Sequence, residues 1–445
     1  MKKITITTIV LILLLGVYFY FTSGALPPGH LVSLLPTKYG KATGEKPTSY
    51  LIQNVSVIPM TQDTILPHQF VLIENRRIRQ ITNRLADVDT STNPFLIDGT
   101  GKYLIPGLND MHVHLNDDNN LLLFVANGVT TIRNMAGYPF HLKLRERIKK
   151  QQILGPTLYT ASPILEGTNN VWKFSIIVKT KKEARDAVLK YKKDGYDFIK
   201  IYHTLPEELY KEIVRAGDSL QIPVVGHIPF QVDLHQVLAL NQYSLEHVDV
   251  SPISPTIPLV QKLEMIGKSR KWMCPTLLVY KNMQKHPNDQ TIPTHYEGYV
   301  DPQTRMFWKQ RLQYYSRDRY GLRKNMAKLI FRSGGRFVAG TDCLNSYVLA
   351  GFSLHEELQE LVSAGLPEFE ALKASTVNAA EFLNRKTEIG TIEPNKLADL
   401  VLLDGNPLQN IANTKKINGV MLQGKWFDSH ELNRMLDDIK KSYPD

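Results

Sequence analysis

The sequence predicts an α/β fold: a closed (β/α)8 barrel of the TIM type with a small β-sandwich domain built from both chain ends. Three observations lead there. Strand-like and helix-like stretches alternate eight times between residues 105 and 385. Short β segments with turn residues appear before and after that stretch. Several histidines, a lysine and an aspartate fall at the carboxyl ends of the inner strands, where barrels of this kind gather their functional groups.

The 445 residues suffice for one large domain or a few ordinary ones, and 43% hydrophobic with 22% charged is the balance of a packed globular chain. The net charge of +10 invites a nucleic-acid or anionic-surface reading. The densest basic runs, Arg145 to Lys150 and Lys179 to Lys193, instead have helical periodicity and read as solvated faces, so no nucleic-acid partner is expected. With only Cys274 and Cys343, unpaired in sequence, neither a disulfide framework nor a cysteine-type zinc site is expected.

At the start, Lys2 and Lys3 precede an uncharged run from Ile4 to Phe21. Its eighteen residues would make roughly 27 Å of helix, close to a bilayer's hydrocarbon thickness. Residues 1–25 therefore read as an uncleaved membrane anchor or as a signal peptide cut after Ala25, with Ser23 and Ala25 as the small residues. Either reading places the protein at the cell envelope, anchored or exported to the periplasm or beyond, with membrane contact if the segment is uncleaved. Residues 26–49 read as a linker.

Residues 50–104 give strands at Tyr50 to Pro59, Gln69 to Glu74 and Arg77 to Thr82. The β texture returns over 386–428, at Asp399 to Asp404 and on both sides of the Gly424-Lys425 turn, before a final helix over 429–445. Two such ends form one domain if the middle closes on itself. The middle, 105–385, offers a strand entering His112 and others at Gly128 to Arg133, Thr157 to Ala161, Asp197 to Tyr202, Ile222 to His227, Tyr243 to His247, Met273 to Val279 and Arg336 to Ala339. Amphipathic helices at Lys181 to Lys193, Glu207 to Ser219 and Gly321 to Ser333 lie between them. A doubly wound open sheet is the alternative, but no glycine-rich nucleotide loop follows any strand. Residues 281–315, with Tyr296, Tyr299 and Trp308, are long for a connection and could form a lid insertion.

His112-Val113-His114 ends its strand, and residues two apart on a strand face the same way, so both imidazoles can address one metal. His227, His247 and Asp342 end three further strands. Imidazole nitrogen and carboxylate oxygen suit zinc, with other first-row divalent ions possible. Lys200 ends the apolar Tyr196-Asp-Phe-Ile-Lys. A free ammonium beside divalent ions would be repelled, so as a ligand it must be modified or deprotonated; otherwise it pairs with an anion.

Five stretches of the middle carry a family resemblance: Leu104-Ile-Pro-Gly-Leu-Asn-Asp-Met-His-Val-His114, Asp197-Phe-Ile-Lys-Ile201, Val225-Gly-His-Ile-Pro229, Ser244-Leu-Glu-His247 and Ala339-Gly-Thr-Asp342. So do Ala374 to Ala380 and Gly390 to Leu400 in the tail. In that order they resemble the amidohydrolase superfamily, in the branch of imidazolonepropionase-like proteins and Xaa-Pro dipeptidases. The resemblance implies two divalent ions, most simply Zn. His112, His114 and Asp342 would hold the first, His227 and His247 the second, and a carbamylated Lys200 would bridge them. It further implies a metal-bridging hydroxide as nucleophile and Asp342 as the catalytic proton carrier. Two departures stand out. The segment from Gly155 to Pro163 lacks the glycine- and histidine-rich stretch of many relatives, and Phe230 occupies the place of the deaminases' glutamate.

The function expected is hydrolysis of carbon–nitrogen bonds, amide or peptide-like, in a small molecule such as a dipeptide or N-acyl compound. The alternative on the same binuclear site is a lactone, ester or organophosphate hydrolase. A non-catalytic sensor would have lost a ligand, and all six are present. The sequence sets no oligomeric state.

Overall fold

Apolar stretches at the expected barrel positions pair side by side, all in parallel, in a computed structural model that describes residues 32–42, 46–167, 174–248, 250, 254, 256–285, 288–291, 293–312 and 320–443. The barrel strands are β1 (Leu108–Val113), β2 (Val129–Asn134), β3 (Thr157–Thr160), β4 (Ile199–Ile201), β5 (Val224–Gly226), β6 (Gln242–Glu246), β7 (Trp272–Cys274) and β8 (Arg336–Phe337). β1 pairs with β2 and β2 with β3, and the Ala161–Phe198 bridge carries the pairing on to β4. From β4 each strand pairs with the next as far as β8. The circle closes where Met111 N donates to Ala339 O at 2.9 Å and Val113 bridges Cys343. Strands covered on both faces need no polar alternation, which is why β1, β2 and β5 are buried throughout.

The helices follow their apolar spacing. In Lys181–Asp194 the buried residues are Ala184, Val188 and Tyr191, one stripe at intervals of four and three. Thr180 caps its start by accepting from Glu183 N at 3.1 Å, and Gly195 ends it at φ 91°. Glu207–Ser219 matches the expected span, and Tyr320–Arg332 is displaced by one residue. One expected strand is shorter than its apolar run suggested. Met273 to Val279 stops at Cys274, Thr276 turns the chain at φ 47°, and Leu277–Met283 is helical. Glu357 enforces that change by accepting from Leu277 N at 2.9 Å and Leu278 N at 2.7 Å.

Outside the barrel, one mixed eight-stranded sheet joins strands from both sides of the chain, consistent with the flanking sandwich. Tyr103–Pro106 lies antiparallel to Leu400–Leu403 and makes the seam between the early and late segments. Register shifts in Ser49–Val57 bend the sheet around a core of Ile52, Val55, Val57, Leu104 and Leu402. The last helix, Ser429–Ser442, is capped by the reciprocal Asp428 and Glu431 box and packs Leu432, Met435 and Ile439 inward.

The envelope location expected above is corrected. Among the described residues no helix is long and apolar enough to cross a membrane. The longest, Lys181–Asp194 and Ser429–Ser442, have 14 residues each, and their apolar stripes are spent on packing. Helices of that length reach about 21 Å, short of a hydrocarbon core of about 30 Å. The segment 1–25, read as an anchor or signal peptide, lies outside the described residues.

Candidate metal centre

β1 delivers His112, the residue just past its end is His114, and the turn after β8 delivers Asp342. His114 Nε2 lies 2.9 Å from Asp342 Oδ1, and His112 Nε2 lies 3.5 Å from the same oxygen. These three groups offer donor atoms all within 4.8 Å of one another. His112, Glu246 and Cys274 form a second such group that shares His112. The His112 and His247 rings are 4.6 Å apart between centroids, and His247 and His227 are 4.5 Å apart. Lys200, from β4, is buried at 1% exposure. The barrel thus brings together the imidazoles and the carboxylate expected from the strand ends, and buries Lys200 among them.

Burial holds the imidazoles of His112, His227 and His247 well below their ordinary pKa, and the charges of Lys200 and neighbouring rings add to it. They are therefore neutral and present lone pairs, the form that binds a divalent ion. Burial also lowers the Lys200 ammonium to about 8, opposed by the charges of Glu246 and Asp342. Asp110, buried beside Thr341, is pushed up to about 7 by desolvation despite accepting from Thr341 Oγ1 at 2.7 Å.

The donor set fits a metal. Among the described residues His112 Nε2 is buried with no hydrogen-bond partner, a costly state for a ring nitrogen unless a ligand takes its lone pair. Its other nitrogen, Nδ1, is held 2.8 Å from Glu246 Oε2. Each remaining inner histidine also has a partner on Nδ1: Thr276 Oγ1 at 2.7 Å for His247, and His203 Nε2 at 2.8 Å for His227. An engaged Nδ1 fixes both the ring plane and the nitrogen left for a ligand.

Glu246 is itself gripped. Arg133 Nη2 lies 3.0 and 3.2 Å from its two oxygens, and Ser244 Oγ donates to Oε1 at 2.5 Å. Glu246, Arg133, Thr276 and His203 were not singled out from the sequence. A charged residue inside a barrel strand was the available signal for the first two, since such a group must find a partner in the fold.

Gly340 explains how β8 comes close enough. A Cβ there would lie 2.5 Å from Cys274 Sγ and 2.7 Å from both Cβ and N of His112. Gly340→Ala is expected to cost about 1–3 kcal/mol by overpacking, seen as a lower melting temperature together with weaker metal retention. An unchanged melting temperature would show that the neighbours move aside.

A model of the family described as Amidohydrolase family matches residues 310–427. A curated relative, the 5-methylthioadenosine/S-adenosylhomocysteine deaminase of Caldanaerobacter subterraneus subsp. tengcongensis, is 24% identical over 80% of this chain and 84% of its own length. Among solved structures, a bottromycin amidohydrolase superposes with a TM-score of 0.76 at 22% identity, covering 95% of this chain and 96% of the other. A Xaa-Pro dipeptidase with bound methionine gives 0.68 at 18% identity, over 85% of this chain and 100% of the other. At such identities the superpositions establish the fold. Metal-dependent hydrolysis is a chemistry that such a donor set can support. Over residues 310–427 the chain is thus similar to the amidohydrolase family.

Proposed function

We propose that this protein hydrolyses amide or peptide-like C–N bonds in small molecules such as dipeptides or N-acyl compounds. The observation that carries the reading is the His112, His114 and Asp342 cluster, in which the buried His112 Nε2 faces Asp342 Oδ1 at 3.5 Å without a hydrogen bond. These three would hold one divalent ion, zinc being best suited to the donors, and His227 and His247 a second. The chemistry that ions at these residues would supply is ionisation of a bound water and polarisation of the carbonyl.

Lys200 would join the two positions as a carbamate. Its burial, with a pKa lowered to about 8, raises the share of neutral amine above that of an ordinary lysine, and that amine would add to carbon dioxide through a new N–C bond and release one proton. The product is an anion where an ammonium would be repelled. Asp342 would take a proton from the attacking water and pass it to the departing nitrogen, a role supported by its position, with one oxygen at His114 and the other 4.0 Å from His247 Nδ1.

The structural relatives named as an amidohydrolase and as a Xaa-Pro dipeptidase support an amide-type substrate. Deamination, the activity in the curated relative's name, is disfavoured by Phe230, a half-exposed apolar ring where related deaminases carry a glutamate. Residues 281–315 we read as a cover for the substrate. Trp308 anchors that segment by donating from Nε1 to Leu344 O at 3.0 Å, two residues beyond Asp342.

The test is metal content followed by a substrate panel. The protein supplied with zinc and bicarbonate should hold two ions per chain, and Lys200→Ala should fall toward one. A stoichiometry of one or none in the parent would overturn the binuclear assignment. Dipeptides and N-acyl amino acids should be cleaved in preference to lactones and phosphotriesters; the reverse order would replace the amide reading by the alternative.

A further inference from the structure

We propose that His203 is a positioning residue for His227, a role that rests on the binuclear reading above, and that it governs how firmly the His227 side holds its ion. Neither the resemblance nor the strand-end pattern assigns His203 a part. It lies just past β4, and the ends of β4 and β5 are stitched together unusually tightly. Ile201 pairs with Gly226, whose φ of +134° and close approach suit only glycine: a Cβ there would sit 2.2 Å from Ile201 O. Beyond that pair, His227 N donates to Ile201 O at 3.3 Å and Phe230 N to His203 O at 3.0 Å. The Phe230 ring stacks on the His203 imidazole, with centroids 4.3 Å apart and planes 11° apart. Backbone and ring contacts together set His203 Nε2 2.8 Å from His227 Nδ1.

Between two imidazoles facing nitrogen to nitrogen, one nitrogen donates and the other accepts. For His227 to offer its Nε2 lone pair to a metal, its Nδ1–H must donate to His203 Nε2, with the His203 proton on Nδ1. His203 thereby fixes the tautomer and the ring plane of His227.

The partners are unequal across the site. His112 leans on the Glu246 carboxylate, whereas His227 and His247 lean on an imidazole and a hydroxyl. An anionic partner makes its imidazole a stronger base and a better ligand. The ion on the His227 and His247 side is therefore the more readily lost.

The experiment takes the full chain loaded with zinc and bicarbonate, equilibrates it against a graded chelator, and counts zinc per chain by elemental analysis. The parent should empty in two steps. His203→Phe keeps a ring against Phe230 but cannot accept the proton, and should shift only the weaker step, by about 10–100-fold. His203→Gln retains an acceptor and should stay within a few-fold of the parent. Melting temperatures of the metal-free forms report on packing, and His203→Leu replaces His203→Phe if the latter does not fold. A variant that moves both steps equally or neither, or a glutamine as damaging as phenylalanine, would overturn the assignment. A parent that never holds two ions would instead overturn the binuclear reading, and shows itself before any variant is made.

Discussion

Asp342→Asn should lose at least about 100-fold in turnover while keeping its fold and most of its metal. The carboxylate is held by its backbone: Asp342 N donates to His112 O at 2.7 Å, and its carbonyl accepts from Asn345 Nδ2 at 2.8 Å. The residue sits at φ 62°, a left-handed conformation that a non-glycine residue keeps only where its surroundings over-determine it. Its side chain is 12% exposed, so substrate and water can reach it. Asparagine is nearly the same size, suffers no more from the backbone angle, and still offers an oxygen to a metal. It cannot carry a proton. Groups that do so contribute roughly 10²–10⁴-fold, and that range sets the expected loss. If Asp342 merely held the loop, the loss would come through stability instead. Turnover on the best substrate of the panel, metal stoichiometry and melting temperature measured on one sample separate the two. A folded, metal-loaded Asp342→Asn within a few-fold of the parent would remove the proton-carrying role.

The parts of the site that were legible in the sequence share one property: each is set by a local rule. The shared facing of His112 and His114 follows from the two-residue period of a strand, and Lys200, His227, His247 and Asp342 stand at strand-like ends, their part as ligands being what the family resemblance implies. The barrel itself was legible because its alternation repeats. What stayed hidden depends on closure. Glu246 meets His112 across 134 positions and Glu357 meets Leu277 across 80, distances over which no periodicity carries information. The same holds for β7. Leu277-Leu278-Val279 is as apolar as a strand, and only Thr276's left-handed turn and the remote Glu357 make it a helix. His203 was invisible for a further reason, since a lone histidine after a strand has no spacing to mark it.

Arg133→Met should destabilise the protein by about 3–5 kcal/mol, because it leaves a buried carboxylate without its cation. Both side chains of the Arg133–Glu246 pair are 0% exposed, and the guanidinium spans both oxygens of Glu246. Arg133 also donates from Nη1 to Ser244 Oγ at 3.2 Å and packs its plane 4.6 Å from the Phe382 ring centroid. Methionine refills much of the volume, so the cost expected is electrostatic and not that of a cavity. Arg133→Lys should recover only part of it, since one ammonium cannot serve Met111 O, Ser244 Oγ and Glu246 from three separate nitrogens. The distinguishing measurement is a double substitution. Arg133→Met with Glu246→Gln removes both charges at once and should be more stable than Arg133→Met alone, though its His112 loses an anionic partner and should bind metal less firmly. Metal-free melting temperatures read the first effect, and zinc retention reads the second. If the double variant melts no higher than Arg133→Met, Arg133 supports the barrel through packing, and the carboxylate at His112 does not depend on it for neutralisation.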